Sequence, residues 1–196
     1  MADYITTTRF AAQGFTAIMR GGFDRITSAD KDAFDRFEKL SALEEQLAKA
    51  SAEQVVSAYA RVHVARYNAE HTKTLADLSR ATLMDSVDAA ATALLNLAKQ
   101  GIVRVRGGLS NCPPGRLVGK TPLRDVLWQS RNQSNHCDEG GYTRSVLGVF
   151  AELEAEYGAA FHLEAKGGEN LAAMVVLLLG WEDDHAYESD MASLVR

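Results

Sequence analysis

Apolar residues recur at spacings of three and four along most of this chain, and that rhythm predicts helices nearly throughout. Phe34, Phe37, Leu40, Leu43 and Leu47 fall on one helical face, with Asp30 as the expected N-cap. Ser51 and Gln54 have the form of a capping box and open a second helix. No proline or glycine follows until Gly101, so some 50 residues are free of breakers. The apolar face there passes through Val55, Tyr59 and Val62, then Leu75, Leu78, Met84, Val87, Leu94 and Ala98. The pattern fits one long bent helix, or two with a break near His71 to Lys73 or near Asp85.

Gly101 to Gly119 is rich in breakers, with Gly107-Gly108, Pro113-Pro114 and Gly115. Ile102 to Arg106 alternates and is expected to be an extended loop or a short strand. Thr121 before Pro122 reads as an N-cap hydroxyl followed by a first-turn proline. That helix should run to about Asp138 and stop at Gly140-Gly141. Val146, Phe150, Leu153 and Tyr157 mark the next helix, closed by Gly158. A last one starts near Glu169 and is apolar almost all round through Leu179, so it should be buried. Residues 1–28 are set apart as an N-terminal extension, because Tyr4 to Thr8 look strand-like without a partner strand. Residues 29–196 form the helical domain. The expected fold class is all-α, a bundle of four to six helices.

Composition narrows the class. The chain has 196 residues, 46% of them hydrophobic, which suits one globular domain with its own core. Its longest apolar run, Leu171 to Leu179, is half of the roughly 18 residues a membrane span needs. Met1 to Arg20 has no basic segment ahead of its apolar residues, so no signal peptide and a cytoplasmic setting are expected. Cys112 and Cys137 make neither a disulfide framework nor a zinc site and read as free thiols. Charge is unevenly spread: residues 1–124 carry a net +4, and residues 125–196 a net −9. Ala89 to Arg124 contains no acid but holds Lys99, Arg104, Arg106, Arg116, Lys120 and Arg124. That run reads either as an anion-binding stripe, with nucleic acid the natural ligand, or as a solvated stretch offsetting the acidic half.

The helix from Thr121 carries the most distinctive chemistry. At 100° per residue, Leu123, Val126, Leu127, Ser130, Ser134 and Cys137 share its packing face. Trp128, Arg131, Asn132, Asn135 and His136 fall on the other side. Lysine and glutamate are missing from that side, unlike an ordinary wet face.

Arg131-Asn132, three residues and then His136 resembles the Arg–four-to-six–His motif of the HEPN superfamily (higher eukaryote and prokaryote nucleotide-binding domains), including the Asn that often follows the Arg. The resemblance covers about 40 residues closely and the rest as helical architecture. It implies an endoribonuclease that needs no metal or other cofactor, works as a homodimer and acts as a toxin or antiviral effector. His136 would move a proton at the ribose 2′-hydroxyl or the leaving oxygen. Arg131 would hold the scissile phosphate, and Asn132 would orient the phosphate or His136. An imidazole suits proton transfer near neutral pH, and a guanidinium suits a phosphate in flight.

Positions 131 and 136 lie about 140° apart on one helix, so a second subunit is expected to complete the site through the Trp128, Asn135 and His136 face. Arg116, Lys120 and Arg124 are the expected phosphate contacts, RNA the expected partner, and an inhibitor or antitoxin protein a further one. Part of the superfamily carries a tyrosine two residues after the His; here that position is Asp138, and Asp138 and Glu139 beside the site would repel a nucleic-acid backbone. The alternative is a noncatalytic HEPN-like module that binds protein or nucleotide, docking on the Trp128 face.

Other features point elsewhere. Arg66 to His71 repeats the Arg–four–His spacing without the Asn and reads as coincidence. Gly119-Lys120-Thr121 ends like a phosphate loop, but the glycine required five residues before Gly119 is Pro114. Trp181 to His185 reads as an acidic solvated turn, His63 as a packing histidine, and His162 as unpartnered. Glu152, Glu154 and Glu156 read as a wet face.

Overall fold

The structure is a computed structural model and describes residues 3–139 and 141–196. The chain is all-α. Among the described residues it has six α-helices: α1 Tyr4–Ala48, α2 Val55–Arg106, α3 Leu123–Asn135, α4 Arg144–Tyr157, α5 Ala172–Leu179 and α6 Asp184–Val195. One antiparallel pair of two-residue strands, β1 Leu117–Val118 and β2 Thr121–Pro122, lies just before α3. No described helix is long and apolar enough to cross a membrane.

Two compact units make up the chain, one from Met1–Arg20 with Ser86–Arg196, the other from Gly21–Asp85. This differs from the expected division at residue 28. Tyr4 to Ser28 are helical, and Asp30 lies inside α1 rather than capping it. Among the buried positions of α1, Ile5, Ala12, Met19, Ile26, Ala33 and Leu40 recur every seven residues, with Tyr4, Thr16 and Gly22 buried beside them. Such a repeat gives a narrow coiled-coil seam, not the broad stripe of an ordinary surface helix. Phe34 and Phe37, expected in the core, stand 62% and 38% exposed. On α2 the buried seam is made of Ala58, Val62, Ala69 and Ala76, while Tyr59, Leu75 and Leu78 face solvent. Alanine at the seam lets two helix backbones come close, which larger residues would prevent.

In the second unit the two helices form a hairpin around Leu40, Val62 and Ala69, with Leu43, Leu47 and Ala65 packed beside them. Arg66 pairs with Glu44, and Arg80 with Asp30. Fourteen residues back along α1 therefore match fourteen forward along α2, a constant antiparallel register. His63 lies on the exposed side of this hairpin rather than in its core.

The first unit holds the main core. Trp181, Phe150, Leu94, Leu95, Ile102, Leu123, Leu127 and Leu153 are fully buried there. The opening turns of α1 belong to it: Tyr4 Oη donates to Leu97 O at 2.6 Å, and Arg9 pairs with Glu188. α2 runs unbroken through Gly101 to Arg106, where a loop was expected. A Cβ at position 101 would lie 2.5 Å from Tyr4 Cε1 and 3.1 Å from Met191 Cε, so glycine lets the Tyr4 ring seat against the helix. Gly101→Val should cost about 1–3 kcal/mol through overpacking, lowering Tm by roughly 2–4 °C per kcal/mol in a chain of this length. An unshifted melting curve would show that Tyr4 does not seat there.

α3 begins one residue later than its sequence suggests. Thr121 pairs in β2, Pro122 takes the cap position, and Leu123 N and Arg124 N donate to Arg116 O and Pro114 O of the preceding loop. Those carbonyls satisfy backbone donors that a Thr hydroxyl would otherwise serve. The helix ends at Asn135, and Cys137–Glu139 form a separate 3-10 turn. Gly140, part of the expected stop, lies outside the described residues. α4 starts at a Thr143 cap and stops at Gly158 as expected. After α5 comes a sixth helix that the sequence reading missed. Asp183 caps α6 through His185 N, and Trp181 is wholly buried rather than part of a solvated turn.

Candidate active site

α3 presents Leu123, Val126, Leu127, Ser130 and Ser134 to the core, as their spacing demands, and Gln129 and Gln133 are buried with them. Gln133 has no solvent exposure and spends its amide fully. Nε2 donates to Glu169 O at 2.8 Å and to Tyr142 Oη at 3.2 Å, and Oε1 accepts from Leu171 N at 3.0 Å. These bonds pin the last turn of α3, from which the candidate residues project. The 3-10 turn that follows is equally confined: at Gly168, with φ +95, a Cβ would fall 2.9 Å from the Cys137 carbonyl oxygen.

The opposite face of α3 meets α2 of the same chain. Arg131 Nε donates to Asn96 Oδ1 at 2.8 Å, and Arg131 NH1 to Asn132 Oδ1 at 3.4 Å. Lys99 Nζ donates to the same Asn132 Oδ1 at 3.2 Å and stands 4.3 Å above the centre of the Trp128 ring. Asn96 and Asn135 exchange hydrogen bonds at 3.3 and 3.4 Å. Guanidinium and ammonium groups only donate, so Asn96 and Asn132 must turn their oxygens toward Arg131 and Lys99.

The result is a pair of cations held by neutral amides. Among the described residues neither Arg131 nor Lys99 has a carboxylate within ion-pair distance. Burial first, and the neighbouring Arg131 charge second, push the Lys99 ammonium below its ordinary pKa. An anion arriving here would be met by charge that the protein has left uncompensated.

His136 stands apart from that pair. It is the exposed C-cap residue of α3, and its Nδ1 lies 2.7 Å from Glu139 Oε1. A carboxylate can only accept, so Nδ1 carries the proton and Nε2 is left as the acceptor of the neutral ring. Among the described residues no side-chain hydrogen bond joins His136 to Arg131 or Asn132. Trp128 and Asn135, expected at a subunit interface, are partly covered by α2 within the chain, while His136 remains open.

The three expected phosphate contacts are committed elsewhere. Arg116 makes a two-pronged ion pair with Asp190 at 2.8 and 2.9 Å and also donates to Leu179 O. That pairing raises its pKa further. Lys120 pairs with Glu156 at 3.0 Å, and Arg124 donates from NH1 to Cys112 O at 2.6 Å and lies with Nε 3.6 Å from Asp125 Oδ2. Each has a specific partner, so none joins Arg131 as an uncompensated cation. His162, read as unpartnered, has Nδ1 2.7 Å from Glu154 Oε1, and Glu156 serves Lys120, so this glutamate row is not simply a wet face.

Asn96 and Lys99 complete the site and were not singled out for it in the sequence. The available signal was Asn96 standing polar within Leu94-Leu95-Asn96-Leu97, three residues before the first cation of the acid-free run. Among the described residues no group of three or more His, Cys, Asp or Glu side chains is placed to hold a metal ion. Compared with known proteins, the chain matches no family model, no curated protein and no solved structure.

Proposed function

We propose that this protein is a HEPN-like endoribonuclease that cuts single-stranded or loop RNA without a metal, as a cytoplasmic toxin or antiviral defence effector. The observation that carries the reading is the uncompensated Arg131–Lys99 pair, held by Asn96 of α2 and by Asn132 of α3, the helix that His136 ends. His136 Nε2 takes the proton of the ribose 2′-hydroxyl. The 2′-oxygen then bonds to the adjacent phosphorus, the bond to the 5′-oxygen breaks, and that oxygen leaves with a proton. The products are a 2′,3′-cyclic phosphate and a 5′-hydroxyl. Arg131 binds the phosphate oxygens as charge builds on them, and Glu139 keeps the imidazole in the tautomer whose Nε2 accepts.

Because Arg131 and His136 do not meet within one chain, the reading places a second copy of the α3 end against the first. A homodimer then supplies a histidine for each proton transfer. An enzyme of this kind would harm its host when free, so a restraining partner protein belongs to the proposal.

A DNA strand carrying one ribonucleotide tests the chemistry. Scission confined to the bond 3′ of that ribonucleotide is expected, with the all-DNA strand intact. Cutting of the all-DNA strand would exclude attack by a 2′-hydroxyl. Activity per protein should also fall on dilution, as a dimer requires; activity strictly proportional to concentration would remove the second subunit from the site.

A further inference from the structure

A cleft of about 370 Å³ opens beside Arg131 and is lined by Tyr4, Asn96, Lys99, Gln100, Val103 and Arg104 together with Arg131 itself. Asn96, Lys99, Gln100 and Arg104 fall at spacings of three and four on α2, so they share one side of that helix. The first turn of α1 closes the cleft with the Tyr4 ring, which glycine at 101 admits. Three of the seven residues are cations, and no carboxylate lines the wall. Among the described residues Arg104, like Lys99 and Arg131, has no ion-pair partner. Elsewhere in this unit Arg9, Arg116, Lys120, Lys166 and Arg196 are paired with acids, and of the other unpaired cations Arg20 and Arg106 donate to backbone carbonyls.

Asn96 explains how so much positive charge stays ordered. An aspartate at that position would grip Arg131 equally well and cancel its charge. The amide grips it and leaves the charge standing. Lys99 is likewise located by a ring face and an amide oxygen, neither of which neutralises it. Five residues separate Lys99 from Arg104, which places them about 7.5 Å apart along the helix axis. Side chains as long as those of lysine and arginine can close on one phosphate group across that separation.

We propose that this cleft is a second phosphate subsite, in which Lys99 and Arg104 hold the backbone phosphate of RNA next to the one at Arg131. The inference rests on the nuclease reading for the identity of the anion, and on the cleft itself for the binding. Lys99 and Arg104 are binding residues here, and Asn96 is a positioning residue that acts through Arg131.

The test uses the full-length chain with His136→Ala as a non-cutting background, and a fluorescent single-stranded oligoribonucleotide titrated at several salt concentrations. Adding Lys99→Gln or Arg104→Gln should weaken binding roughly tenfold, as the loss of one charge-assisted contact implies. Each should also flatten the slope of log affinity against log salt by about 0.7, the share of one phosphate contact on a single strand. A folding defect would lower the competent fraction and leave that slope unchanged. Asn96→Asp should weaken binding as much as Asn96→Ala does, because holding the guanidinium is not enough once its charge is cancelled. Affinity and slope unchanged in both the Lys99 and Arg104 variants would overturn the subsite, even if the wild type cuts RNA. Lys99- and Arg104-dependent binding by a wild type that cuts nothing would uphold the subsite and sink the nuclease reading.

Discussion

His136→Ala and Arg131→Ala should each reduce RNA cleavage by about a thousandfold, within the range expected for losing a positioned proton-transfer group or an electrostatic contact to a reacting phosphate. The two losses differ in their side effects. His136 is exposed, and among the described residues its side chain bonds only to Glu139, so its removal should leave the melting temperature within about a degree. Arg131 removal frees Asn96 and Asn132, so a small drop in stability accompanies it. The variants should also separate in binding. His136→Ala keeps the cation pair and should still bind RNA, whereas Arg131→Ala should bind weakly with a flatter salt slope. Retention of more than about a tenth of wild-type cleavage by His136→Ala would remove the histidine from the chemistry.

Asp190→Ala should markedly destabilise the first unit. Asp190 is buried and accepts three bonds, two from Arg116 and one from Trp181 Nε1 at 2.8 Å. Trp181 is wholly buried, so its indole N–H would lose its partner without gaining water. Arg116 is 45% exposed at its side chain and would recover hydration in part, which moderates the loss. A cost of about 3 kcal/mol follows, at the lower end of that for breaking a buried pair. The expected fall in Tm is roughly 6–12 °C. Asp190→Asn keeps an acceptor for the indole and should cost clearly less. Equal losses from the two variants would show that the charge, and not the indole bond, holds α5 and α6 together.

The all-α class was legible because three-and-four spacing runs through the chain, but the identity of the buried face in α1 and α2 was not. Large apolar residues such as Phe34, Phe37, Tyr59 and Leu78 dominate a search for helical stripes, and all four are exposed. The true seam of the second unit runs through Ala33, Ala58 and Ala69, residues that carry little hydrophobic weight and act by letting backbones approach. The expected break at Gly101 failed for a related reason. Glycine there makes room for Tyr4 from the far end of the unit, a contact that no local pattern contains.

In the candidate site, Arg131 and Asn132 were readable because they are neighbours on one helix face. Asn96 and Lys99 lie 35 and 33 positions from their α3 partners, and only the packing of α2 on α3 joins them. The same gap misled the choice of phosphate contacts. Arg116 stands in an acid-free run, yet its partner Asp190 is 74 positions away. A run of bases shows where positive charge is abundant along the sequence. Which of it stays uncompensated depends on where the acids fold back.

The most direct measurement is incubation of the purified wild type with end-labelled single-stranded RNA in EDTA, followed by mass analysis of the fragments. The account predicts cleavage that survives the chelator and fragments ending in 2′,3′-cyclic phosphate and 5′-hydroxyl. Intact RNA from a varied pool, with the protein verified as folded and dimeric, would contradict it and leave α3 and its cation pair as a binding surface without chemistry.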